Sequence, residues 1–317
     1  MATWKLGRIL VLCFLMVTIV SACTESDSPV DVLTRQEAIP QSAQKMGPED
    51  DLYPPVLNSS DWMDPVPMPG PVNTAGAEDS PFIVETRREF YFFFTPDPNI
   101  TPEEQLLDGV TGIWVSRWEG GKWQEAERVW LQEEGKLALD GCAYVAADRM
   151  YFCSAREGYV GVHWFTANYE DGGWKKWTNA DFPSEYSVGE LHIWGEELYY
   201  HSDLDGGKGG SDIWMLEKTN GEWQGPVNVA VVNTDGDEGM PYVTSDGQEL
   251  WFNRFYQGSP AIFRSKRVNG EWQEPELIVS QFAGEPTLDW QGNLYFVHHF
   301  YEDGNMIEAD IYVAYRK

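Results

Sequence analysis

The chain has 317 residues, of which 42% are hydrophobic and 14% aromatic, with 30 Gly and 19 Pro. This composition excludes wholesale disorder, and its richness in aromatic and turn-forming residues favours β-strands over long helices. Lys and Arg total 22 against 51 Asp and Glu, which gives a net charge of −29. That charge excludes nucleic acid and anionic lipid surfaces as partners bound through electrostatic attraction.

The first 22 residues have the pattern of an export signal. Lys5 and Arg8 precede an apolar run over 9–20, which is too short to favour a permanent membrane span. The following Val-Ser-Ala-Cys, ending at Cys23, resembles a bacterial lipobox. The resemblance implies cleavage before Cys23 and lipid attachment to it, and the alternative is a secreted protein with a chance cysteine. We expect an exported protein, lipid-anchored to the cell membrane or outer membrane and facing the periplasm or the cell surface.

Residues 23–60 are polar and rich in proline, and they show no hydrophobic period. Segments of this kind do not bury enough apolar surface to fold alone and act as linkers. The sequence therefore predicts a flexible tether after the lipidated cysteine, followed by one folded domain over 61–317.

A repeat of about 50 residues runs through 61–317. In five successive units the aromatic residue of the third predicted strand recurs at intervals of 50, 50, 49 and 49 residues. These residues are Trp114, Trp164, Trp214, Phe263 and Tyr312. A period of this length with about four short strands per unit is typical of propeller blades.

The last unit stops after its third strand, and residues 62–73 match the fourth strand of an earlier unit, 223–228. The sequence thus predicts an all-β fold, a five-bladed β-propeller closed by an N-terminal strand that completes the last blade. Closure of this kind removes exposed sheet edges.

The best-defined unit carries recognisable motifs. A Gly-rich stretch at 206–210 precedes Asp-Ile-Trp at 212–214, Asn-Gly-Glu-Trp follows at 220–223, and Ser-Asp-Gly stands at the hairpin 245–247. These motifs resemble the TolB-type WD-like β-propeller repeat, closely over 200–253 and more weakly elsewhere. The family's Ser-Pro-Asp-Gly hairpin lacks its proline here. The resemblance implies a propeller of the type found in envelope lipoproteins.

Acidic residues recur near the start of each innermost strand, the strand that lines the central channel of a propeller. They are Glu78, Asp79, Asp140, Glu190, Asp237, Glu238 and Glu285. One interpretation is a cation site or a catalytic carboxylate pair, since glycoside hydrolysis uses two acids. The other is that the acids belong to the repeat and close turns between blades. The catalytic candidates are Asp79, Asp140, Glu190 and Glu238, and the acidic binding candidates are Glu78, Glu238 and Glu285.

Most of the 15 Trp occupy positions that pack blades together, but Trp194 and Trp290 lie on or just after innermost strands. Either they stack on a sugar ring near the channel, or they too pack between blades.

Asp203-x-Asp205 lacks the third Asp and the Glu of an EF-hand loop. We therefore predict no metal or cofactor, with calcium as the alternative.

Cys142 and Cys153 flank a predicted hairpin turn at 147–148 and would lie directly opposite each other on adjacent strands. Cross-strand neighbours are close enough for a disulfide, and an oxidising compartment permits one. The alternative is two reduced, buried cysteines.

No Gly-x-Ser-x-Gly elbow and no phosphate-binding loop occur in the sequence. With a clear scaffold and no sharp catalytic motif, we expect a non-catalytic binding or interaction module at the cell envelope rather than an enzyme. Its partner would be an envelope protein or a glycan. The second hypothesis is a secreted carbohydrate-active enzyme, a glycoside hydrolase or lyase, that uses the channel acids.

Overall fold

The computed structural model describes residues 33–317. These residues form an all-β fold with two short helices, α1 (Arg35–Ala38) and α2 (Pro102–Leu107), and one 3₁₀ turn, Ser184–Tyr186. The predicted signal sequence and Cys23 lie outside the described residues. No helix within 33–317 is long and apolar enough to cross a bilayer.

Two short strands precede the repeat, β1 (Val56–Leu57) and β2 (Val66–Pro67). The first unit contains β3 (Ala77–Val84), β4 (Glu89–Thr95), β5 (Gly112–Glu119), β6 (Lys122–Trp123) and β7 (Glu127–Arg128). The second contains β8 (Ala138–Ala146), β9 (Arg149–Arg156), β10 (Val162–Glu170) and β11 (Gly173–Asn179).

The third unit contains β12 (Leu191–Trp194), β13 (Glu197–Ser202), β14 (Asp212–Thr219) and β15 (Glu222–Asn228). The fourth contains β16 (Glu238–Val243), β17 (Glu249–Tyr256), β18 (Ser259–Val268), β19 (Glu271–Trp272) and β20 (Glu276–Ser280). The fifth contains β21 (Ala283–Leu288), β22 (Leu294–Glu302) and β23 (Asn305–Ala314). The predicted all-β fold is confirmed.

Each unit forms an antiparallel sheet in which chain neighbours pair. β2 pairs with β23, placing Val66 opposite Val313, so the predicted N-terminal strand lies on the outer edge of the last unit. A single parallel bridge between Ala309 and Ala77 joins the last unit to the first. The sheets stack through aromatic side chains, and Phe90 of β4 packs 5.9 Å from Tyr295 of β22. Strands that pack in this way are apolar on the faces that contact neighbouring sheets.

Four of the five innermost strands contain a β-bulge at the same place. In β3, β8, β16 and β21 the register shifts by one residue against the second strand. Each shift contains one residue with a positive φ of 49–53°, namely Ser80, Cys142, Met240 and Glu285. A bulge bends its strand and redirects one side chain. Here it turns these residues toward the centre, where the innermost strands meet.

Residues 34–53, the N-terminal arm, pack on the sheets. Arg35 is 2% exposed, and its guanidinium reaches Glu78 of β3 at 3.2 Å. Lys45 forms an ion pair with Glu308 of β23, which is 1% exposed. The structure therefore differs here from the flexible tether expected over 23–60, because charged residues of the arm fill sites that the repeat leaves unpaired.

Candidate functional site

A cavity of about 60 Å³ lies where the innermost strands converge. All five units contribute to its lining, each through a short segment at or beside the bulge position. The segments are 80–82, 142–144, 190–192, 240–242 and 285–286. A cavity of this size holds a few water molecules. A larger ligand would reach it by lying across the opening.

Aromatic rings form one part of the cavity wall. Between ring centroids, His192 lies 4.7 Å from Tyr144 and 4.9 Å from Tyr242, and Phe82 lies 5.2 Å from Tyr144. Burial lowers the pKa of His192 to about 3, so its ring is uncharged at neutral pH. The Tyr144 hydroxyl donates a hydrogen bond to the backbone oxygen of Ile193. This part of the wall is therefore packed and carries no charge.

Three carboxyl groups meet beside that wall. Glu190 and Glu285 line the cavity, and Asp79 directly precedes the bulge residue of β3. Burial, followed by the negative charge of Asp79, raises the pKa of Glu190 to about 7. Burial also raises the pKa of Glu285 well above its usual value, and the charges of Asp79 and Glu190 add to the effect. The three groups therefore share one electrostatic environment.

Interaction with the Asp79 carboxyl group raises the pKa of Glu285 further. The Oε2 atom of Glu285 is buried without a hydrogen-bond partner among residues 33–317. A carboxyl group with a raised pKa favours the protonated form, which can donate a hydrogen bond. The cluster thus combines two carboxyl groups of raised pKa with a negative neighbour, Asp79.

The other predicted acids are engaged in structural contacts. Glu78, Asp140 and Glu238 lie two residues before the bulge position and are at most 1% exposed. Their partners are Arg35 and Thr74 for Glu78, Arg156 and Ser154 for Asp140, and Arg254 and Thr234 for Glu238. None of these three acids lines the cavity. In the described part of the chain, no Lys or Arg forms such a pair with the cavity cluster of Asp79, Glu190 and Glu285.

The two predicted tryptophans lie in packed positions away from the cavity lining. The Trp194 indole nitrogen donates to the backbone oxygen of Ser245 at 3.2 Å. Trp290 packs 5.8 Å from Trp118, with the Arg88 guanidinium 5.0 Å from its ring. Both residues follow the hairpin end of an innermost strand, whereas the acids lie near its start.

Cys142 and Cys153 are both unbonded thiols in the structure. The bulge changes the register predicted for them, since Gly141 pairs with Cys153 and Cys142 is the inserted residue. The Cys142 thiol lies 3.5 Å from Oε1 of Glu190 and can donate a hydrogen bond to it. Interaction with the Cys153 thiol, followed by burial, raises the pKa of Cys142 well above its usual value.

Within residues 33–317, no three His, Cys, Asp or Glu side chains are arranged to hold a metal ion. The Gly-rich loop considered for calcium is organised by its own contacts. Asp212 accepts backbone hydrogen bonds from Lys208 and Gly209, and Lys208 donates to the backbone oxygen of Ala230.

No protein-family model and no curated protein matches the chain. Among solved structures, the chain is similar to an endo-arabinase from Bacteroides thetaiotaomicron, at 16% identity and a TM-score of 0.49, over 78% of this chain and 96% of that one. It is also similar to the catalytic domain of a GH62 alpha-L-arabinofuranosidase from Coprinopsis cinerea, at 10% identity and a TM-score of 0.48, over 79% and 95%. TolB from Acinetobacter baumannii matches at 10% identity and a TM-score of 0.42, over 77% and 56%.

The class is therefore an all-β protein with the sheets of a β-propeller. The TolB-type resemblance is not specific, since TolB stands among arabinan- and arabinofuranoside-related enzymes. The prediction of a non-catalytic module rather than an enzyme is corrected here, because several of the matched structures are named as an endo-arabinase, an arabinofuranosidase or a GH-family protein.

Proposed function

We propose that this chain is a carbohydrate-active enzyme, a glycoside hydrolase that acts at the cavity between the innermost strands. One observation carries the proposal. Glu190 and Glu285 come from two different units and line one cavity, and Asp79 of a third unit directly precedes the lining residue Ser80; no cation is paired to the three acids in the described part of the chain. Glycoside hydrolysis requires two carboxyl groups, of which one is protonated and the other ionised.

The three acids divide these roles by environment. Glu190, whose pKa is raised to about 7, retains a proton that it can transfer to the glycosidic oxygen as the bond breaks. Asp79 supplies the negative charge that assists attack at the anomeric carbon. Glu285, whose pKa is raised well above its usual value, lies beside Asp79 and favours its own protonated form, which leaves Asp79 as the charged member of the cluster. The cavity admits water, and the scissile bond of a chain lying across the opening would meet Glu190.

The test measures new reducing ends and unsaturated products from the full-length chain on arabinan and other plant, algal and bacterial polysaccharides. We expect the Glu190→Gln variant to lower kcat/KM by about 10²- to 10⁴-fold, because it cannot donate a proton. Glu196→Gln makes the same change at an exposed turn residue of the same unit and should retain full activity.

The pH dependence provides a second readout. A general acid acts only while protonated, so activity should fall as the pH rises through about 7, the value to which Glu190 is raised. Absence of product across the panel at pH 5 to 8, or equal activity of the Glu190→Gln and Glu196→Gln variants, would contradict the proposal. Unsaturated products would instead identify a lyase.

We also propose that the five units close into a five-bladed ring, with β2 as the last strand. The pairing of β2 with β23 and the five-unit lining of the cavity support this arrangement. The TolB-type motifs would then describe how one blade is built and not what the protein does. The lipobox at Cys23 supports export and a lipid anchor in the cell envelope, where the substrate would be a glycan.

A further inference from the structure

Two thiols lie directly beside the acid cluster. Cys142 is the bulge residue of β8 and lines the cavity together with Glu190. Cys153 lies on the adjacent strand β9, paired with Gly141, and interaction with its thiol raises the pKa of the Cys142 thiol. At the bulge Cys142 and Ala143 oppose Phe152, so Cys142 follows directly after Gly141, the partner of Cys153, and lies one position from Cys153 in the register.

The Cys142 thiol also contacts the Glu190 carboxyl group. Cys142 Sγ lies 3.5 Å from Glu190 Oε1 and can donate a hydrogen bond to it. Among residues 33–317 the Glu190 side chain has no other hydrogen-bond donor. A thiol that donates a hydrogen bond to a carboxylate stabilises the charged form of that carboxylate. Cys142 therefore contacts both a possible disulfide partner and the carboxyl group on which the chemistry of the cavity depends.

We propose that Cys142 and Cys153 form a disulfide on oxidation, and that this bond removes the thiol hydrogen bond that Cys142 gives to Glu190. The two thiols exchange with a small-molecule disulfide such as oxidised glutathione. One S–S bond forms in the protein, the oxidant's S–S bond breaks, and the two protons pass to two glutathione thiols. The site thus acquires a reduced state with a donor at Glu190 and an oxidised state without it.

Other charged or titratable groups surround Glu190 from each packed element. Asp79 approaches from β3, Glu285 from β21 and His201 from β13, across from the segment that carries Glu190. Burial lowers the pKa of His201, so that ring is neutral near pH 7. Oxidation changes none of Asp79, Glu285 and His201 covalently. A redox-dependent change in the titration midpoint of Glu190 therefore reports the loss of the thiol donor.

The first measurement detects the bond itself. Trypsin releases Cys142 in the peptide 137–149 and Cys153 in the peptide 150–156. After the full-length chain is treated with oxidised glutathione, mass spectrometry should find these two peptides joined and two hydrogen atoms lighter than their sum. A reductant should separate them. Failure to detect the joined peptides at any oxidant concentration would overturn the proposal.

The second measurement follows Glu190 without requiring any enzyme activity. Carboxyl-carbon NMR of glutamate-labelled protein, assigned with Glu190→Gln, gives its titration midpoint in each redox state. Oxidation should raise that midpoint by roughly half a pH unit, because the charged form loses a donor. Cys142→Ala should show the raised midpoint without oxidant. Cys142→Ser keeps a hydroxyl donor and should not respond to oxidant.

A joined peptide with an unmoved Glu190 midpoint would refute the coupling. These outcomes are independent of the proposed hydrolase activity, because neither readout uses a substrate. A protein without activity that still shows the joined peptides and the shifted midpoint would refute the hydrolase and retain the redox pair.

Discussion

Acidic side chains at the bulge of an innermost strand and two positions before it have different environments. Asp140, before the bulge, is fully buried against the Arg156 guanidinium at 2.6 Å. Glu285, at the bulge, faces the cavity with a raised pKa. The bulge separates these environments, since it changes which way the side chain points. Residue type alone does not distinguish a structural acid from a cavity acid.

The Asp140→Asn variant should be strongly destabilised. Both partners of the Asp140–Arg156 pair are at most 2% exposed, so the substitution leaves a buried guanidinium without its countercharge. We expect the free energy of unfolding in urea to fall by about 3 kcal/mol or more. Asp171→Asn, at an 87% exposed position of the same unit, should change it by less than about 0.5 kcal/mol. Equal effects of the two changes would contradict the structural role given to Asp140.

The sequence contains a signal for the position of the bulge in the innermost strands. In three of the innermost strands a proline follows the bulge position, as Pro81, Pro241 and Pro286. Proline within a strand marks an edge or a bulge, because it has no N–H for the ladder. Aligning the units on these prolines places Glu285 at the bulge and Glu78 and Glu238 outside it. Aligning on acidic residues alone grouped side chains that point in different directions.

At the scale of elements, the N-terminal arm supplies charges that the repeat lacks. Arg156 and Arg254 are second-strand arginines that neutralise buried acids within their own units. In the first unit Arg35 of the arm lies 3.2 Å from Glu78, where its charge opposes the rise that burial causes in the pKa of Glu78, and its guanidinium also lies 5.2 Å from the Phe92 ring. The arm is therefore part of the folded domain.

The Lys45→Met variant should release part of the arm. Lys45 bridges Glu308 and Asp310, both 1% exposed, and its charge counteracts the rise that burial causes in the pKa of each acid. Without that charge we expect a loss of about 1 to 3 kcal/mol in unfolding free energy. Amide hydrogen exchange should become faster across residues 34–53.

Lys266→Met provides the matched control. Lys266 is 55% exposed and pairs with the half-exposed Glu276 at 3.4 Å, so its removal should change stability by less than about 0.5 kcal/mol. Unchanged exchange in the arm of the Lys45→Met variant would contradict the bridge. The arm could not be predicted from the sequence because its contacts join residues more than 200 positions apart, such as Lys45 and Glu308. Local composition indicated only a polar, proline-rich segment.

For the whole molecule, the period of the aromatic residues predicted the sheets well. The strands are short apolar runs bounded by turns, so the positions of the strands can be predicted from a repeat of about 50 residues. Function was harder to predict because the visible motifs belong to the scaffold. The cavity cluster of Asp79, Glu190 and Glu285 is assembled from positions as far apart as 79 and 285, and its acids resemble structural ones in sequence.

The domain should be less stable at pH 8 than at pH 6.5. Burial raises the pKa of Glu78 to about 8 and is the main cause of values of about 7 at Glu190 and Glu308. An unfolded glutamate titrates near 4.5, so over this interval the folded state holds protons that the unfolded state has lost. Stability then falls as the pH rises through the folded pKa values.

We expect the free energy of unfolding in urea to fall by about 2 to 4 kcal/mol between pH 6.5 and pH 8. Buried histidines such as His192 oppose this decline by only about 0.4 kcal/mol each, because an unfolded histidine loses its remaining half proton over this interval. The Glu190→Gln variant removes one of the titrating groups and should show a shallower decline. Stability that rises toward pH 8 would mean that the buried acids are ionised in the folded protein. In that case neither Glu190 nor its neighbours could hold the proton that the proposed hydrolysis requires.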